Sequence, residues 1–289
     1  MITLIDGDIL PYEIGAVTEG FHSPSTVQHK VDELVEHILE RTGANTSKMF
    51  LSEKGNYRIA AACVKKYKGT RHGEKPQWFS TIRDHLYKEW GGIPVEGREA
   101  DDALSITQHY YLGEGVKSCI ASRDKDLRMV PGFHYSWKCG EHQPEKPVYE
   151  VSVLGKLEPK LNDKGGIKAM KGVGLRFFYA QMIMGDSTDN IPGAPTKGPK
   201  AVVEALTDAT TEIELYDAAR STYFEAYKKQ MNDDECISFT DWRGKRRYRS
   251  IDQMFREQAI LLWMQVHKDD KWDRSGYAKR YNLWGGSEL

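Results

Sequence analysis

Acidic residues that directly follow short apolar runs are the feature that most constrains the fold of this chain. Asp6, Glu53 and Asp124 each come just after such a run. In an open parallel sheet the carboxyl ends of the strands meet at one edge, so three separate segments would bring carboxylates together there. Carboxylates held that close repel one another unless a cation neutralises them. The pattern therefore predicts a site for hard divalent cations.

Short apolar runs alternate with helical periods in the first two thirds of the chain. Candidate strands are residues 2–5, 48–51 and 117–121, and apolar residues at helical spacing lie between the first two, from Val27 to Leu39, with Gly43 as a stop. This alternation is typical of a mainly parallel sheet flanked by helices. The predicted fold class is α/β.

The chain becomes mostly helical after residue 177. Apolar periodicity covers residues 178–184, 201–206 and 251–266, and a Gly- and Pro-rich segment occupies residues 185–199. For 289 residues, one large domain with a smaller one is the natural expectation. We predict an α/β core over residues 1–177 and a helical region over residues 178–289.

The acidic clusters also have structural interpretations. Glu99, Asp101 and Asp102 lie at the first turn of a predicted helix over residues 100–111, where acidic side chains are favoured as caps. Asp124 and Asp126 project to the same side of an extended strand end, unless an Asx turn forms there.

A fourth acidic pair precedes the Gly- and Pro-rich segment. Asp186 and Asp189 share one face of a helical turn, although capping of the next helix needs only one of them. The glycines that follow would let backbone amides approach a phosphate closely.

Charge is balanced overall, with 41 Lys plus Arg against 42 Asp plus Glu, but its distribution is uneven. Each basic stretch alone is explained as a solvated surface. Three of them among acidic pairs indicate a polyanion held around a metal. The stretches are Lys65, Lys66, Lys68, Arg71 and Lys75; Lys164, Lys168, Lys171 and Arg176; and Arg243, Lys245, Arg246, Arg247 and Arg249.

Other features restrict the class of protein. Four widely spaced cysteines are expected to be reduced thiols rather than zinc ligands. The first residues predict a strand and leave no room for a signal leader, and no apolar run approaches the roughly 20 residues of a membrane span. We expect a cytoplasmic protein, in the host cytoplasm if a phage encodes it.

Five motifs in a fixed order resemble those of the 5′-nuclease family, which includes flap endonucleases, the 5′-nuclease domain of bacterial DNA polymerase I and phage 5′→3′ exonucleases. They are LIDGD, YKGTR, EADD, SRDKDL and GDSTDNIPG, and they lie between residue 1 and about residue 206. The chain looks most like a small phage exonuclease. The resemblance implies a PIN-like core, a short arch over about residues 72–95, and a helix-hairpin-helix type motif over about residues 181–206.

The resemblance also implies the roles of individual residues. Two Mg²⁺ or Mn²⁺ ions would be held by Asp6, Glu53, Glu99, Asp101, Asp124, Asp126, Asp186 and Asp189, with Asp102 in a supporting role. Lys68 and Arg71 would stabilise charge on the scissile phosphate, and Tyr67 would stack on a displaced base. DNA contacts would come from Arg58, Lys65, Lys66, Gly193, Lys197, Gly198 and Lys200.

The predicted function is a metal-dependent 5′→3′ exonuclease or flap endonuclease, a monomer that acts on DNA at 5′ ends, flaps or nicks, and on RNA in RNA–DNA hybrids. Three alternatives remain open. LIDGD also fits the aspartyl nucleophile of a haloacid-dehalogenase-type phosphatase, with GDSTD as its metal motif. A non-catalytic nucleic-acid-binding member of the fold and a ribonuclease of the related acidic α/β type are the others.

Overall fold

The computed structural model describes residues 1–20, 23–71, 73–233, 235–270 and 272, which divide into two compact units. Of the described residues, the first unit comprises those within 1–56, 73–151 and 264–268, and the second comprises those within 57–71, 152–263 and 269–272. These units differ in extent from the predicted domains, because residues 57–71 and 152–177 pack with the C-terminal helices. The predicted boundary after residue 177 falls inside a helix.

The described residues form ten strands and nine α-helices. The strands are β1 (Ile2–Asp6), β2 (Thr46–Ser52), β3 (Ile93–Val95), β4 (Ser118–Ala121), β5 (Gly132–Ser136), β6 (Lys146–Val151), β7 (Lys156–Leu161), β8 (Ile167–Val173), β9 (Cys236–Thr240) and β10 (Arg246–Ser250). The helices are α1 (Leu10–Val17), α2 (Pro24–Thr42), α3 (Tyr57–Ala61), α4 (Phe79–Lys88), α5 (Ala100–Gly113), α6 (Gly174–Met184), α7 (Pro199–Leu206), α8 (Glu212–Tyr227) and α9 (Ile251–Leu262).

The first unit is built on a six-stranded sheet in the order β3-β2-β1-β4-β5-β6. Every neighbouring pair is parallel except β5 with β6. The predicted α/β class, with a mainly parallel sheet flanked by helices, is therefore confirmed. Since β1 is flanked by β2 and β4, residues that follow these three strands lie along the same edge of the sheet.

Helix α2 shows how the sequence pattern becomes a core. Val27, Val31, Val35 and Ile38 recur at helical spacing, and all four are fully buried in the apolar cluster of the first unit. Gly43 ends the helix in a left-handed conformation, with φ of 59°, and donates its N–H to the last turn. The predicted helix and its stop are confirmed.

Most of the region predicted as an arch, residues 72–95, lies in the core of the first unit. Ile82 and Leu86 of α4 are fully buried in the core of the first unit, and β3 pairs with β2. Residues 79–95 therefore belong to the core, and only the segment before α4 is left for an arch. Residue 72 lies outside the described residues.

The second unit is helical but also contains two antiparallel hairpins, β7–β8 and β9–β10. The sequence pattern does not predict either hairpin, because nearly all of β7 and most of β10 are solvent-exposed and show no apolar alternation. Helix α9 ends at Leu262, earlier than predicted, since Trp263 is extended. None of the helices in the described ranges is both long and apolar enough to cross a membrane.

The segment predicted as the hairpin of a helix-hairpin-helix type motif lies between α6 and α7. The backbone N–H groups of Asp186 and Ile191 donate to each other's carbonyls at 2.8 and 2.7 Å. Gly185 and Gly193 have φ of 75° and 67°, and their backbones pack together. Both positions require glycine, because a Cβ on Gly193 would lie 2.2 Å from the Gly185 nitrogen.

Replacement of Gly193 by alanine should destabilise the second unit. The strained φ alone costs about 1–2 kcal/mol, and the backbone clash adds to it. Gly198→Ala is the matched control, because Gly198 has φ of −135° and no heavy atom lies within 4 Å of its would-be Cβ. Thermal unfolding should show a lower Tm for the first variant only, and equal Tm values would contradict the packing of the two glycines.

Candidate active site

Asp6 ends the central strand β1 and is almost completely buried. Its carboxylate accepts hydrogen bonds from the Ser122 hydroxyl at 2.7 Å and from the Asp8 N–H at 3.2 Å. Burial raises the pKa of Asp6 to about 8, and the negative charges of Asp8 and Asp124 contribute to the rise. No ion pair to Asp6 exists within the described part of the chain, so the site favours a proton or a metal cation at this carboxyl.

The loop after β4 is shaped by hydrogen bonds from backbone N–H groups to side-chain oxygens two residues earlier. The Asp124 N–H donates to the Ser122 hydroxyl at 2.9 Å, and the Asp126 N–H donates to Asp124 Oδ1 at 2.8 Å. A 3₁₀ turn then begins at Asp126. The extended placement predicted for this pair is wrong, and the Asx turn considered as its alternative is observed. Ser122, which orients both Asp6 and Asp124, was missed because a lone serine gives no sequence signal.

Arg83 of α4 binds the carboxylates of Asp8, which follows β1, and of Glu53, which follows β2. The sequence did not predict these contacts. The Arg83 guanidinium donates to Asp8 Oδ1 at 3.2 Å, to Glu53 Oε1 at 2.8 Å and to the Ser52 carbonyl at 2.9 Å. Tyr87 also donates to Glu53, and these contacts lower the pKa of Glu53, with the Tyr87 hydrogen bond as the main cause. In this structure Arg83 supplies the positive charge that the sequence analysis assigned to a metal at Glu53.

The acidic cluster at the start of α5 combines capping with half-buried carboxylates. Asp102 is fully buried and accepts the N–H groups of Glu99 at 3.4 Å and Gln265 at 3.3 Å. The Ala100 N–H donates to the Ser52 hydroxyl at 2.8 Å, which ties the helix to the end of β2. These contacts fit a supporting role for Asp102, while Glu99 and Asp101 are half-buried.

The donor atoms of the first unit suit a hard cation, but they are not arranged as a complete metal site. Among the residues that the structure describes, no group of three or more His, Cys, Asp or Glu side chains could hold a metal ion as placed. Several carboxylate oxygens instead accept backbone N–H groups. Carboxylates remain the appropriate ligands for Mg²⁺ or Mn²⁺, and the ligand assignments stay predictions.

In the second unit, the loop that carries YKGTR is held by Asp189. The Tyr67 hydroxyl donates to Asp189 Oδ2 at 2.9 Å, and Arg71 Nη2 donates to Oδ1 at 2.5 Å. The Lys68 N–H donates to the Asp189 carbonyl at 2.9 Å, and Lys68 has a left-handed φ of 52°. Asn190, missed by the sequence analysis, donates to the Lys66 carbonyl at 2.9 Å. The loop is therefore fixed in one conformation.

Tyr67 does not have the environment predicted for it. Only 6% of its surface is exposed, and its hydroxyl is bonded to Asp189. A ring in that position has no open face on which a displaced base would stack, so the stacking prediction is wrong. Tyr67 instead positions Asp189 and the loop, which the sequence could not reveal because the contact spans 122 positions along the chain.

Asp186 is also buried and is oriented locally. Its Oδ1 accepts the Thr188 N–H at 2.8 Å, and its Oδ2 accepts a long bond of 3.4 Å from Gln181 of α6. The first contact closes an Asx turn at the end of α6, so Asp186 and Asp189 lie in a turn rather than on one face of a helix.

Arg58 has a structural role in place of the predicted phosphate contact. It is fully buried in α3, and its guanidinium donates to the carbonyls of Leu261 at 3.0 Å and Trp263 at 2.6 Å. These are carbonyls at the end of α9, which have no partner within the helix. A buried guanidinium is not available to a phosphate, and the sequence could not distinguish it from an exposed one.

The remaining predicted DNA contacts divide by exposure. The Gly193 N–H donates to the buried Gln258 at 3.2 Å, so this amide is not free for a phosphate. Gly198 precedes α7 and has open space around it. Lys65, Lys66 and Lys200 are exposed and Lys197 is half-exposed, so these four stay candidates for nucleic-acid contacts.

Stability of the metal-free protein should depend on pH through Asp6. Folded Asp6 keeps its proton up to about pH 8, whereas the unfolded chain loses it near pH 3.8. Because the unfolded state then binds fewer protons, stability falls as pH rises across this window, by at most about 1.4 kcal/mol per pH unit. Asp6→Asn removes this loss.

Denaturant unfolding in EDTA at pH 5 and pH 8 measures the effect. Relative to the wild type, Asp6→Asn should gain stability at pH 8 compared with pH 5, while exposed Asp163→Asn should follow the wild type. Identical pH profiles for the wild type and Asp6→Asn would contradict the raised pKa.

Comparison with known proteins by sequence gives bacterial relatives that are named 5′-3′ exonuclease or DNA polymerase I. The chain is 25% identical over 228 residues to a 5′-3′ exonuclease of Buchnera aphidicola (from Schizaphis graminum), covering 75% of this chain and 73% of that protein. It is 25% identical over 147 residues to DNA polymerase I of Deinococcus radiodurans, covering 50% of this chain but only 14% of the polymerase. No family model matches the chain.

Comparison of folds gives the same result. The T5 D15 protein co-crystallised with metal ions superposes with a TM-score of 0.57 at 13% identity, covering 90% of this chain and 88% of that one. The T5 5′-exonuclease with bound zinc gives 0.50 at 14% identity and covers 99% of both chains. The haloacid-dehalogenase alternative is not favoured, since the relatives found by sequence include a 5′-3′ exonuclease over most of the chain. The comparisons confirm the predicted resemblance of this chain to the 5′-nucleases, including the phage exonuclease whose fold it shares.

Proposed function

We propose that the protein is a divalent-metal-dependent 5′-nuclease that hydrolyses phosphodiester bonds of DNA near 5′ ends. The proposal rests on the environment of Asp6, a buried carboxyl at the end of the central strand. Asp8 and Asp124 lie beside it, and it has no cationic partner in the described residues. A carboxyl in that environment gains most from a bound metal ion. The five ordered motifs and the similarity to bacterial 5′-3′ exonucleases support the reaction class.

Mg²⁺ or Mn²⁺ would be held in the first unit by Asp6 and Asp124, with Glu99, Asp101 and Asp126 as further ligands, directly or through water. When bound, such ions activate a water and stabilise the leaving oxygen, and two ions suit in-line displacement. We leave Glu53 out of this set, because Arg83 and Tyr87 already bind its carboxylate. Asp186 and Asp189 are proposed as ligands from their motif alone.

Lys68 and Arg71 are proposed to stabilise negative charge on the reacting phosphate. Asp189 holds the Arg71 side chain, of which 50% of the surface is exposed, so a phosphate can approach it from the solvent side. The Lys68 backbone is fixed by the Asp189 carbonyl, which limits the positions that its ammonium group reaches. Charge held in place before the reaction stabilises a transition state without reorganisation.

The proposed substrates are DNA flaps, nicks and 5′ ends, and RNA in RNA–DNA hybrids, with the protein acting as a monomer. A panel of 5′-labelled flap, nicked, blunt and hybrid substrates, resolved by product length in Mg²⁺ and in EDTA, tests both substrate and cofactor. Products with 5′-phosphate ends in Mg²⁺ alone are expected. Cleavage that continues in EDTA would reject the metal-dependent mechanism.

Asp124→Asn and Asp186→Asn should each abolish cleavage while leaving DNA binding largely intact. The amide cannot supply the negative charge that a divalent cation needs, yet it keeps the side-chain volume. Exposed Asp163→Asn on the turn between β7 and β8 is the control and should cleave normally. Nuclease assays in Mg²⁺ and binding in EDTA measure the two properties, and unchanged turnover in both site variants would falsify the proposed ligands.

Lys68→Ala should slow cleavage by about 10²–10³-fold, as expected for loss of one charged group that stabilises a transition state. The effect should appear in single-turnover rates at saturating DNA rather than in Kd. Lys30→Ala removes an exposed cation from α2 and should leave the rate unchanged. A rate within about twofold of the wild type for Lys68→Ala would remove Lys68 from the mechanism.

A further inference from the structure

The β9–β10 hairpin carries a basic run that the proposed chemistry does not use. Positive residues occupy most positions from Arg243 to Arg249. The sequence alone could not distinguish a binding surface from an ordinary solvated one. The hairpin separates these residues into two groups, one used to hold the hairpin in place and one left at the surface.

Two of the arginines hold the hairpin in place. Arg247 Nε donates to Asp241 Oδ2 at 2.8 Å, and Arg249 donates to Glu257 of α9. Both carboxylates are buried. A buried carboxylate needs such a partner, so these two guanidinium groups are committed to the fold.

The turn that joins the two strands is also fixed. Asp241 Oδ1 accepts the N–H groups of Arg243 at 3.0 Å and Lys245 at 2.8 Å, and the Gly244 N–H donates to the Asp241 carbonyl at 2.9 Å. The cations at the tip therefore extend from a backbone of defined shape. Such a tip loses little backbone entropy when it binds a ligand.

The outer face of the hairpin presents cations, hydroxyls and an aromatic ring. Arg246 pairs across the strands with Thr240, and Tyr248 pairs with Ser238, so these four side chains share one face. All four are exposed, Tyr248 by 64%. Within the described ranges, no ion pair involves Arg243, Lys245 or Arg246, in contrast to Arg247 and Arg249.

Trp242, in the turn between β9 and β10, contacts the segment before YKGTR. Its indole N–H donates to the Ala62 carbonyl at 3.0 Å, and the Lys66 ammonium lies 5.9 Å from its ring. The Arg243 guanidinium lies 4.1 Å from the same ring and reaches the Ala62 carbonyl at 3.4 Å. We define the hairpin surface as Lys66, Trp242, Arg243, Lys245, Arg246 and Tyr248.

We propose that the hairpin surface binds the sugar–phosphate backbone of a nucleic-acid strand, as a contact additional to the helix-hairpin-helix motif and to Lys68 and Arg71. The inference rests on the proposed function and adds a second place at which the substrate is held. When exposed cations without acidic partners bind phosphates, they replace counterions condensed on the nucleic acid, and the release of those counterions favours binding. An exposed tyrosine beside them offers a ring on which a base stacks.

The test compares two double variants in the second unit. Lys245→Ser with Arg246→Ser removes two cations from the hairpin surface, and Lys228→Ser with Lys229→Ser removes two exposed cations from the turn after α8. Fluorescence anisotropy in EDTA, over a salt series, measures the Kd of labelled duplex, single-stranded and 5′-flap DNA. Melting temperatures establish that both variants are folded.

The hairpin variant should bind more weakly than the control. The slope of log K against log salt is negative, and its magnitude should fall by about 0.9 for each duplex phosphate that the variant no longer neutralises. If only duplex DNA binds more weakly, the hairpin surface contacts the double-stranded part of the substrate. If only single-stranded DNA binds more weakly, it contacts the 5′ end. Equal Kd values and slopes for the two double variants would overturn the inference.

Failure of the proposed function gives a different result. A wild-type protein that binds DNA with the same Kd as the hairpin variant keeps the nuclease proposal and rejects only the hairpin surface. A wild-type protein that binds none of the three DNAs and cleaves none of them in Mg²⁺ rejects the nuclease proposal itself.

Discussion

Burial of the Asp6 carboxyl at the end of the central strand is the constraint on which the first unit depends. A carboxyl in that position must be protonated or paired with a cation, because the interior does not solvate its charge. The surrounding contacts hold it without neutralising it, since the Ser122 hydroxyl and the Asp8 N–H are neutral donors. Arg83 pairs with Asp8 and Glu53, and among the described residues it makes no ion pair with Asp6. Asp6 therefore marks the position where a metal ion has most to contribute.

In the second unit, Asp189 has a comparable effect on a loop rather than on a strand. Its carboxylate binds Tyr67 and Arg71, and its carbonyl accepts the Lys68 N–H. Two segments that are 122 positions apart in the sequence thus act as one structural element. A residue that the sequence predicted only as a metal ligand therefore also determines where the basic residues of YKGTR lie. Loss of Asp189 would disturb this loop, so an Asp189 variant would not test the predicted metal role by itself.

The sequence predicted those features that local patterns determine. Patterns over a few residues predicted β1, β2, β4, α2 and α5, because neighbouring residues determine which face of an element is buried. Gly43 predicted the end of α2, because its backbone conformation is a local property. Contacts between distant residues were not predictable. Arg83 binds Asp8 and Glu53, and Ser122 binds Asp6, but arginine and serine are common residue types and have no distinctive neighbours here. The two hairpins of the second unit were missed for a related reason, since their strands are too exposed to alternate apolar with polar residues.

The arginines show most clearly why charge clusters in a sequence are ambiguous. Arg58 is fully buried and binds backbone carbonyls, Arg83 joins two carboxylates, and Arg247 and Arg249 hold a hairpin. A polyanion would have to displace these partners to reach the guanidinium groups. Arg246 lies between Arg247 and the hairpin tip yet has no acidic partner among the described residues, because successive residues of a strand face opposite sides. Availability to a phosphate therefore depends on which face of the strand a residue occupies, and the number of positive charges in a segment does not determine it.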